Sequence, residues 1–211
     1  YSFDAAEPDN TDSNRHAYGN NKYSVSNIDQ WLNSSAAAGQ WYSARHSTDH
    51  APFYETYAGF LAGFDDDFVS VLQDTKLSVD LHELDGGGYD SFVRKFFLPS
   101  ASELCFSMVS SYVNDGSSLS YFVSRQKSAV VSDYAATHSN DPSDRPGYNR
   151  TYWLRSVNIS SLSCTVCVVS NNGSFARHAA SNRNGVRPVC NISSDTFVTM
   201  GNDGCYELFF F

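Results

Sequence analysis

Tyr152-Trp153-Leu154-Arg155-Ser156, followed further along by Gly185-Val186-Arg187-Pro188-Val189, are the stretches whose reading decides the fold. Both are short and mix β-branched or aromatic residues with turn formers at their ends, the composition of strands. Between and beside them, Cys164 to Val169 and Val186 to Ile192 are also β-prone, while the intervening residues are rich in Ser, Asn, Arg and His. The pattern predicts two stiff strands side by side, presenting a polar segment to solvent.

Downstream, Asn202-Asp203-Gly204 reads as a turn into a last strand from Cys205 to Phe211. Upstream, Leu77 to Leu84 and Ser91 to Leu98 flank Asp85-Gly86-Gly87-Gly88-Tyr89, a hairpin around a glycine turn. Ser26 with Asp29 three residues on suggests a helix cap, and Ile28, Trp31 and Leu32 share one helical face. That helix is expected to run through Ala36 to Ala38 and stop at Gly39. A shorter helix is expected after Phe64, where Asp65, Asp66 and Asp67 suit the positive end of its dipole. Pro99 to Glu103 has the composition of another helix start, capped by Ser100 or Ser102. Tyr121 to Val131 reads as helix or strand, and Thr137 to Arg150 as a surface loop. Residues up to Asn21 are polar and turn-rich, with little to pack, and Gln40 to Gly63 reads as an aromatic, packed loop.

The chain of 211 residues is long enough for one cored domain, and no repeat period divides it. The economical class is α+β, with short helices on small, mostly antiparallel sheets joined by long ordered loops. A net charge of -9 without a basic run argues against nucleic acid, whose phosphates need Lys/Arg neutralisation. No apolar stretch is long enough to insert in a membrane, and Tyr1 to Glu7 lacks signal-peptide architecture. The five cysteines, Cys105, Cys164, Cys167, Cys190 and Cys205, are an odd set and read as buried free thiols in the first instance.

Motifs for chemistry are weak. His46 and His50 have a metal-like spacing but no helix and no third ligand. Cys164-Thr165-Val166-Cys167 has the C-x-x-C spacing, yet in a strand these thiols point to opposite faces. Asp65, Asp66 and Asp67, with Asp85 and Asp90, have the oxygen chemistry for calcium without the EF-hand spacing, so a solvated acidic turn and no cofactor are expected, with calcium as the alternative. No catalytic set is singled out, and no G-x-S-x-G, H-E-x-x-H or P-loop occurs.

The candidate ligand face lies in the polar segment, whose palette resembles that of antigen-binding loops. Its first part contributes Asn158, Ser160, Ser161, Ser163 and Thr165. Its second part contributes Phe175, Arg177, His178, Ser181, Asn182, Arg183 and Asn184. Ser and Asn would hydrogen-bond a ligand, Phe175 would supply apolar area, and Arg177, His178 and Arg183 would supply charge or stacking.

Several ordered stretches together resemble a domain family widespread in gut bacteria and their phages. They are Tyr18 to Val25 leading into Ser26-Asn27-Ile28-Asp29-Gln30-Trp31-Leu32-Asn33-Ser34, then Gly59-Phe60-Leu61-Ala62-Gly63, then Phe97-Leu98-Pro99-Ser100 with Glu103, then the two opening stretches. That family is similar to the formylglycine-generating-enzyme branch of the C-type-lectin fold. The resemblance implies one C-type-lectin-like domain over residues 1–211, with Trp31, Trp153, Arg155 and Arg187 as a structural frame. Members usually carry further strands upstream of the position matching Tyr1, so the resemblance implies that such strands are either missing from this stretch or supplied elsewhere. The branch also houses the variable proteins of diversity-generating retroelements, including phage receptor-binding proteins. These vary Asn codons at adenines, which never yields Lys, Glu, Gln, Met or Trp, and Ser156 to Val186 contains none of the five.

The expectation is therefore a non-enzymatic recognition domain on a virion or cell surface, binding a host surface protein or glycan. One alternative is a copper-dependent oxidase using Cys164 and Cys167, which lie near the family's copper-binding strand but closer together. The other is an architectural virion module that self-associates into a homo-oligomer.

Overall fold

The computed structural model describes residues 1–106, 115–139, 144–157, 162–201 and 206–209. Its helices are short: α1 Ser13–Tyr18, α2 Asn27–Leu32, α3 Asp66–Val71 and α4 Asp133–Thr137. The first strands are β1 Thr75–Asp80, β2 Tyr89–Arg94, β3 Phe96–Phe97, β4 Ala129–Val130 and β5 Asn149–Arg150. They are followed by β6 Tyr152–Val157, β7 Thr165–Val169, β8 Phe175–Ala179, β9 Val189–Cys190, β10 Phe197–Met200 and β11 Tyr206–Phe209. Among the described residues the sheets are β1-β2, β10-β11, β3-β9, β4-β5 and the three-stranded β6-β7-β8, every strand pair antiparallel. The class is α+β.

The β6-β7-β8 sheet organises the core because apolar side chains cover both of its faces. Trp153, Val166 and Val168 enter one cluster with Phe3, Tyr23, Ile28, Leu32 and Leu98. Tyr152, Leu154, Cys167 and Val169 enter a second with Ala101 and Leu104. Neighbours in sequence thus go to opposite faces, and a strand covered on both sides reads as an unbroken apolar run. This is why β6 and β7 are legible in the sequence. Their register shifts between Trp153 and Val157, a bulge that ends regular pairing just before the polar segment.

Local signals place the other elements. Ser26 Oγ accepts the Asp29 N–H (3.3 Å), as the cap predicts, but α2 ends at Leu32 and not at Ala38. Asn33 stops it by turning its amide to β3: its Oδ1 accepts from Lys95 N and Phe96 N, both at 3.2 Å, and its Nδ2 donates to Phe96 O (2.9 Å). The chain after it packs tightly, since a Cβ on Gly59 would run into the Ser34 carbonyl. The glycine hairpin forms, with Gly86, Gly87 and Gly88 all at positive φ between β1 and β2, but its strands are Thr75–Asp80 and Tyr89–Arg94 and not Leu77 to Leu84 and Ser91 to Leu98, since Glu83–Asp85 make a 3-10 turn. Ser100 and Glu103 make a reciprocal capping box (Ser100 N to Glu103 Oε2 2.9 Å, Glu103 N to Ser100 Oγ 3.1 Å), yet residues 101–105 form turns. The expected strand from Val186 to Ile192 shortens to β9 plus isolated bridges at Gly185 and Ile192. Proline at 188, which lacks an N–H, interrupts the rest. Of the last expected strand, Tyr206 to Phe209 is β11, whereas Cys205, Phe210, Phe211 and the 202–204 turn lie outside the described residues.

The N-terminal stretch overturns its sequence reading. Phe3 is fully buried, as is Asp4, whose carboxylate accepts from Asn20 N (2.8 Å), Asn27 N (3.0 Å) and the Arg45 guanidinium (2.6 Å). Arg15 is buried against Asp85 (2.5 Å). Polar residues pack here because distant partners satisfy them, which composition does not reveal. Phe3 N and Asp4 N both donate to Ala180 O (2.8 and 3.1 Å), so the start of the chain is laid along the segment after β8.

Candidate functional site

Of the expected pair of side-by-side strands, one isolated backbone bridge joins β6 to Gly185, while residues 186–188, Arg187 among them, are not strand and β9 pairs with β3. Trp153 N donates to Gly185 O (3.1 Å), Gly185 N donates to Thr151 O (2.7 Å), and Tyr152 and Gly185 form a parallel bridge. Arg187 lies over the Tyr152 ring at 5.5 Å and donates to its hydroxyl at 3.4 Å. Trp153 is fully buried, and its Nε1 donates to Tyr1 O (2.8 Å). Trp31 stacks on Tyr1 at 4.8 Å and donates to Ala58 O (3.0 Å), inside the core.

Arg155 is a core residue of another kind. It is 1% exposed and grips Glu103 through two bonds (Nη1 to Oε2 2.7 Å, Nη2 to Oε1 2.6 Å), while donating to the carbonyls of Leu98 (2.8 Å) and Asp115. The planar guanidinium matches the carboxylate fork and so ties β6 to the capping-box turn. Beside it, the Ser156 hydroxyl donates to the Asp115 carboxylate and accepts from Ala101 N (2.8 Å). Asp115 Oδ1 and Asp80 Oδ2 are buried without partners. Burial, and then the charge of Asp115, push the Asp80 carboxyl up to about 6.

The expected ligand residues separate into three groups. Asn158, Ser160 and Ser161 lie outside the described residues. Several others face inward. Ser163 is 2% exposed and donates to the Asp12 carboxylate, and Thr165 opens the central strand β7, half-buried. Phe175 packs against Phe106 at 5.5 Å beside the second core cluster, so its apolar area is already used. His178 meets Trp153 edge-on at 6.3 Å. The third group stays at the surface: Arg177, Asn182 and Arg183 are exposed, with Ser181 and Asn184 half-buried beside them. The loop reading of residues 175–179 is corrected, because they form β8, paired with β7 from Thr165↔Ala179 to Val169↔Phe175. The polar face is therefore an edge strand and the turn after it, on a rigid sheet.

At that turn the surface dips into a hollow of about 120 Å3 lined by Asn149, Arg150, Thr151, Asn171, Arg183 and Asn184. Arg150 Nε is paired with Asp144 at 2.6 Å. The Arg183 guanidinium lies 4.5 Å over the Phe53 ring. Asn184 exchanges backbone bonds with Tyr1 (2.9 and 3.1 Å), and its Oδ1 is 3.1 Å from His178 Nδ1. Its Nδ2 is buried with no partner. The sequence pointed to Arg183 and Asn184 but missed Asn149, Arg150, Thr151 and Asn171. Adjacency of Asn149 and Arg150 to the Tyr152 anchor was the available signal.

Residues 3–194 match the family described as Domain of unknown function (DUF6273). The chain is a DUF6273 domain. No curated protein and no solved structure matches it. Both strand anchors and the hollow of the DUF6273 domain fall inside the matched span, whereas the β10-β11 hairpin follows it.

A larger cleft of about 510 Å3, lined by Asp29, Gln30, Asn33, Trp41, Arg94 and Lys95 among others, is chemically occupied by the domain itself. Arg94 holds Asp29 at 2.6 to 2.9 Å, Gln30 Oε1 accepts from Ser43 N (3.1 Å), and Lys95 donates to Leu72 O (2.9 Å). Burial raises the Asp29 carboxyl to about 6 against the opposing pull of Arg94. Among the described residues, no group of three or more His, Cys, Asp or Glu is arranged to hold a metal, and no helix is long and apolar enough to cross a membrane. Cys105, Cys164 and Cys190 are free thiols. Cys164 and Cys167 are buried, and burial pushes the Cys164 thiol up, away from the thiolate that redox and metal chemistry need.

Proposed function

We propose that this DUF6273 domain is a non-enzymatic recognition module of C-type-lectin type, displayed on a virion or cell surface, that binds a host surface protein or glycan. Small antiparallel sheets joined by long ordered loops support the fold assignment. The observation that carries the functional reading is the division of labour along β8 and its turn. Phe175 and His178, on opposite faces of β8, lock against Phe106 and Trp153, while Arg177, Asn182 and Arg183 stand exposed on that fixed backbone. Polar groups held on a rigid element lose little entropy on binding, the usual construction of a recognition surface. Exposed tyrosines such as Tyr18, Tyr89, Tyr121, Tyr134 and Tyr148 add amphipathic contact area elsewhere on the domain.

The test is binding of the purified domain to host-cell surfaces and to a glycan array, for wild type and Arg177→Ala. Loss of binding with an unchanged thermal midpoint supports the reading. Retained binding by Arg177→Ala together with Arg183→Ala sinks it.

A further inference from the structure

The hollow at the end of β8 has an uneven set of hydrogen-bonding groups. Arg183 is a pure donor, and neither a hydrogen bond nor an ion pair engages its guanidinium among the described residues; it is held in place over Phe53. Asn184 Nδ2 is a buried donor without an acceptor. Arg150, steadied at Nε by Asp144, is a second guanidinium in the wall. A buried donor left unpaired is costly, and native structures pair such groups with protein, water or ligand. The partner that satisfies donors alone is an acceptor-only group, an oxyanion, which guanidinium forks bind in two-point fashion. The site also sets two guanidinium charges, Arg150 and Arg183, against the one carboxylate of Asp144 in a chain whose net charge is -9.

Size and rim narrow the ligand. About 120 Å3 takes one small head group and not a run of residues. Around the cations sit Asn149, Thr151 and Asn171, neutral groups able both to donate and to accept, which suit hydroxyls adjoining the anion. An acidic peptide would need an extended groove, which this hollow lacks.

We infer that the hollow formed by Arg150, Arg183 and Asn184 is a subsite for an acidic saccharide, seating its carboxylate or sulfate ester on Arg183 and the Asn184 amide while Asn149, Thr151 and Asn171 meet neighbouring hydroxyls. The inference rests on the recognition reading and names the ligand class for it.

The test titrates the full chain with glucuronate, glucose 6-sulfate, glucose, inorganic sulfate and a Glu-rich hexapeptide, by calorimetry and by amide NMR shifts. Glucuronate or glucose 6-sulfate should bind at least about tenfold more tightly than glucose or inorganic sulfate, shifting the amides of residues 183–185. Arg183→Gln should weaken that binding about tenfold or more, and Asn184→Asp, which turns a donor into an acceptor, should abolish it with folding intact by circular dichroism. Equal binding of glucose, or no effect of Arg183→Gln, overturns the subsite. Sulfate binding as tight as either acidic sugar overturns the saccharide assignment, and tighter hexapeptide binding overturns it in favour of a protein ligand. If the acidic sugars bind yet cell-surface binding is absent, the subsite stands and the recognition reading fails. If cell binding depends on Arg177 while no acidic sugar binds, the recognition reading stands and the subsite fails.

Discussion

Replacing Asp80 by Asn should make this protein more stable, and only above about pH 4. Asp80 closes strand β1 opposite Tyr89, is 7% exposed, and has a buried Oδ2 without a partner near the equally buried Asp115. Burial and the charge of Asp115 raise its carboxyl from the ordinary value of 3.8 to about 6. Below the unfolded value both states hold the proton, so the wild-type carboxyl costs nothing there. Between about 4 and 6 the unfolded chain releases its proton while the native state keeps it, so stability falls as pH rises and levels off above the folded value. A shift of about 2 units corresponds to roughly 3 kcal/mol, which water at the end of the hairpin screens to about 1–2 kcal/mol. Asn keeps the shape and cannot ionise, so Asp80→Asn should gain that amount at pH 7.5, about 2–8 °C in midpoint, and almost nothing at pH 4. Urea unfolding of both proteins at the two pH values, followed by fluorescence of the buried Trp31, Trp41 and Trp153, reads the difference directly. An equal difference at both pH values, or a loss of stability at pH 7.5, refutes the reasoning. Asp4 and Asp29 are raised to about 6 as well, but each faces a guanidinium, Arg45 or Arg94, so removing their charge also strands a cation.

Arg155→Ala should cost about 3–5 kcal/mol in chemical denaturation, since Glu103 would keep its charge without its partner, whereas removing both charges as Arg155→Met with Glu103→Leu should recover much of the loss. Gly116→Ala should destabilise by about 1–3 kcal/mol, because the residue sits at φ 127 and its Cβ would lie 2.7 Å from Glu103 Oε1 and 3.0 Å from Arg155 Nη2. An unchanged midpoint in that variant would mean the cluster is looser than its contacts imply. Phe175→Ala should cost about 2–3 kcal/mol through lost packing against Phe106 and the second core cluster, in contrast to Arg177→Ala, which should leave the midpoint within about 0.5 kcal/mol.

By itself the sequence determined what depends on near neighbours. The apolar runs of β6 and β7, the three glycines between β1 and β2 and the Ser26 cap each rest on residues within a few positions of one another, so pattern and turn chemistry suffice to see them, whereas the helix expected after a Ser100 or Ser102 cap is replaced by turns. Tertiary structure alone decided the rest. FARHA lacks β-branched residues and becomes β8 because β7 offers it a ladder, which turns the expected loop into an edge strand and draws Phe175 and His178 inward. The polar N-terminal stretch enters the core because Asp4 finds Arg45 and Arg15 finds Asp85, and Arg155 is buried because Glu103 waits 52 residues earlier. Burying a charge is affordable only beside its partner, and partners this far apart in the chain are matched by the fold, as are the two arginines and the amide that meet in the hollow.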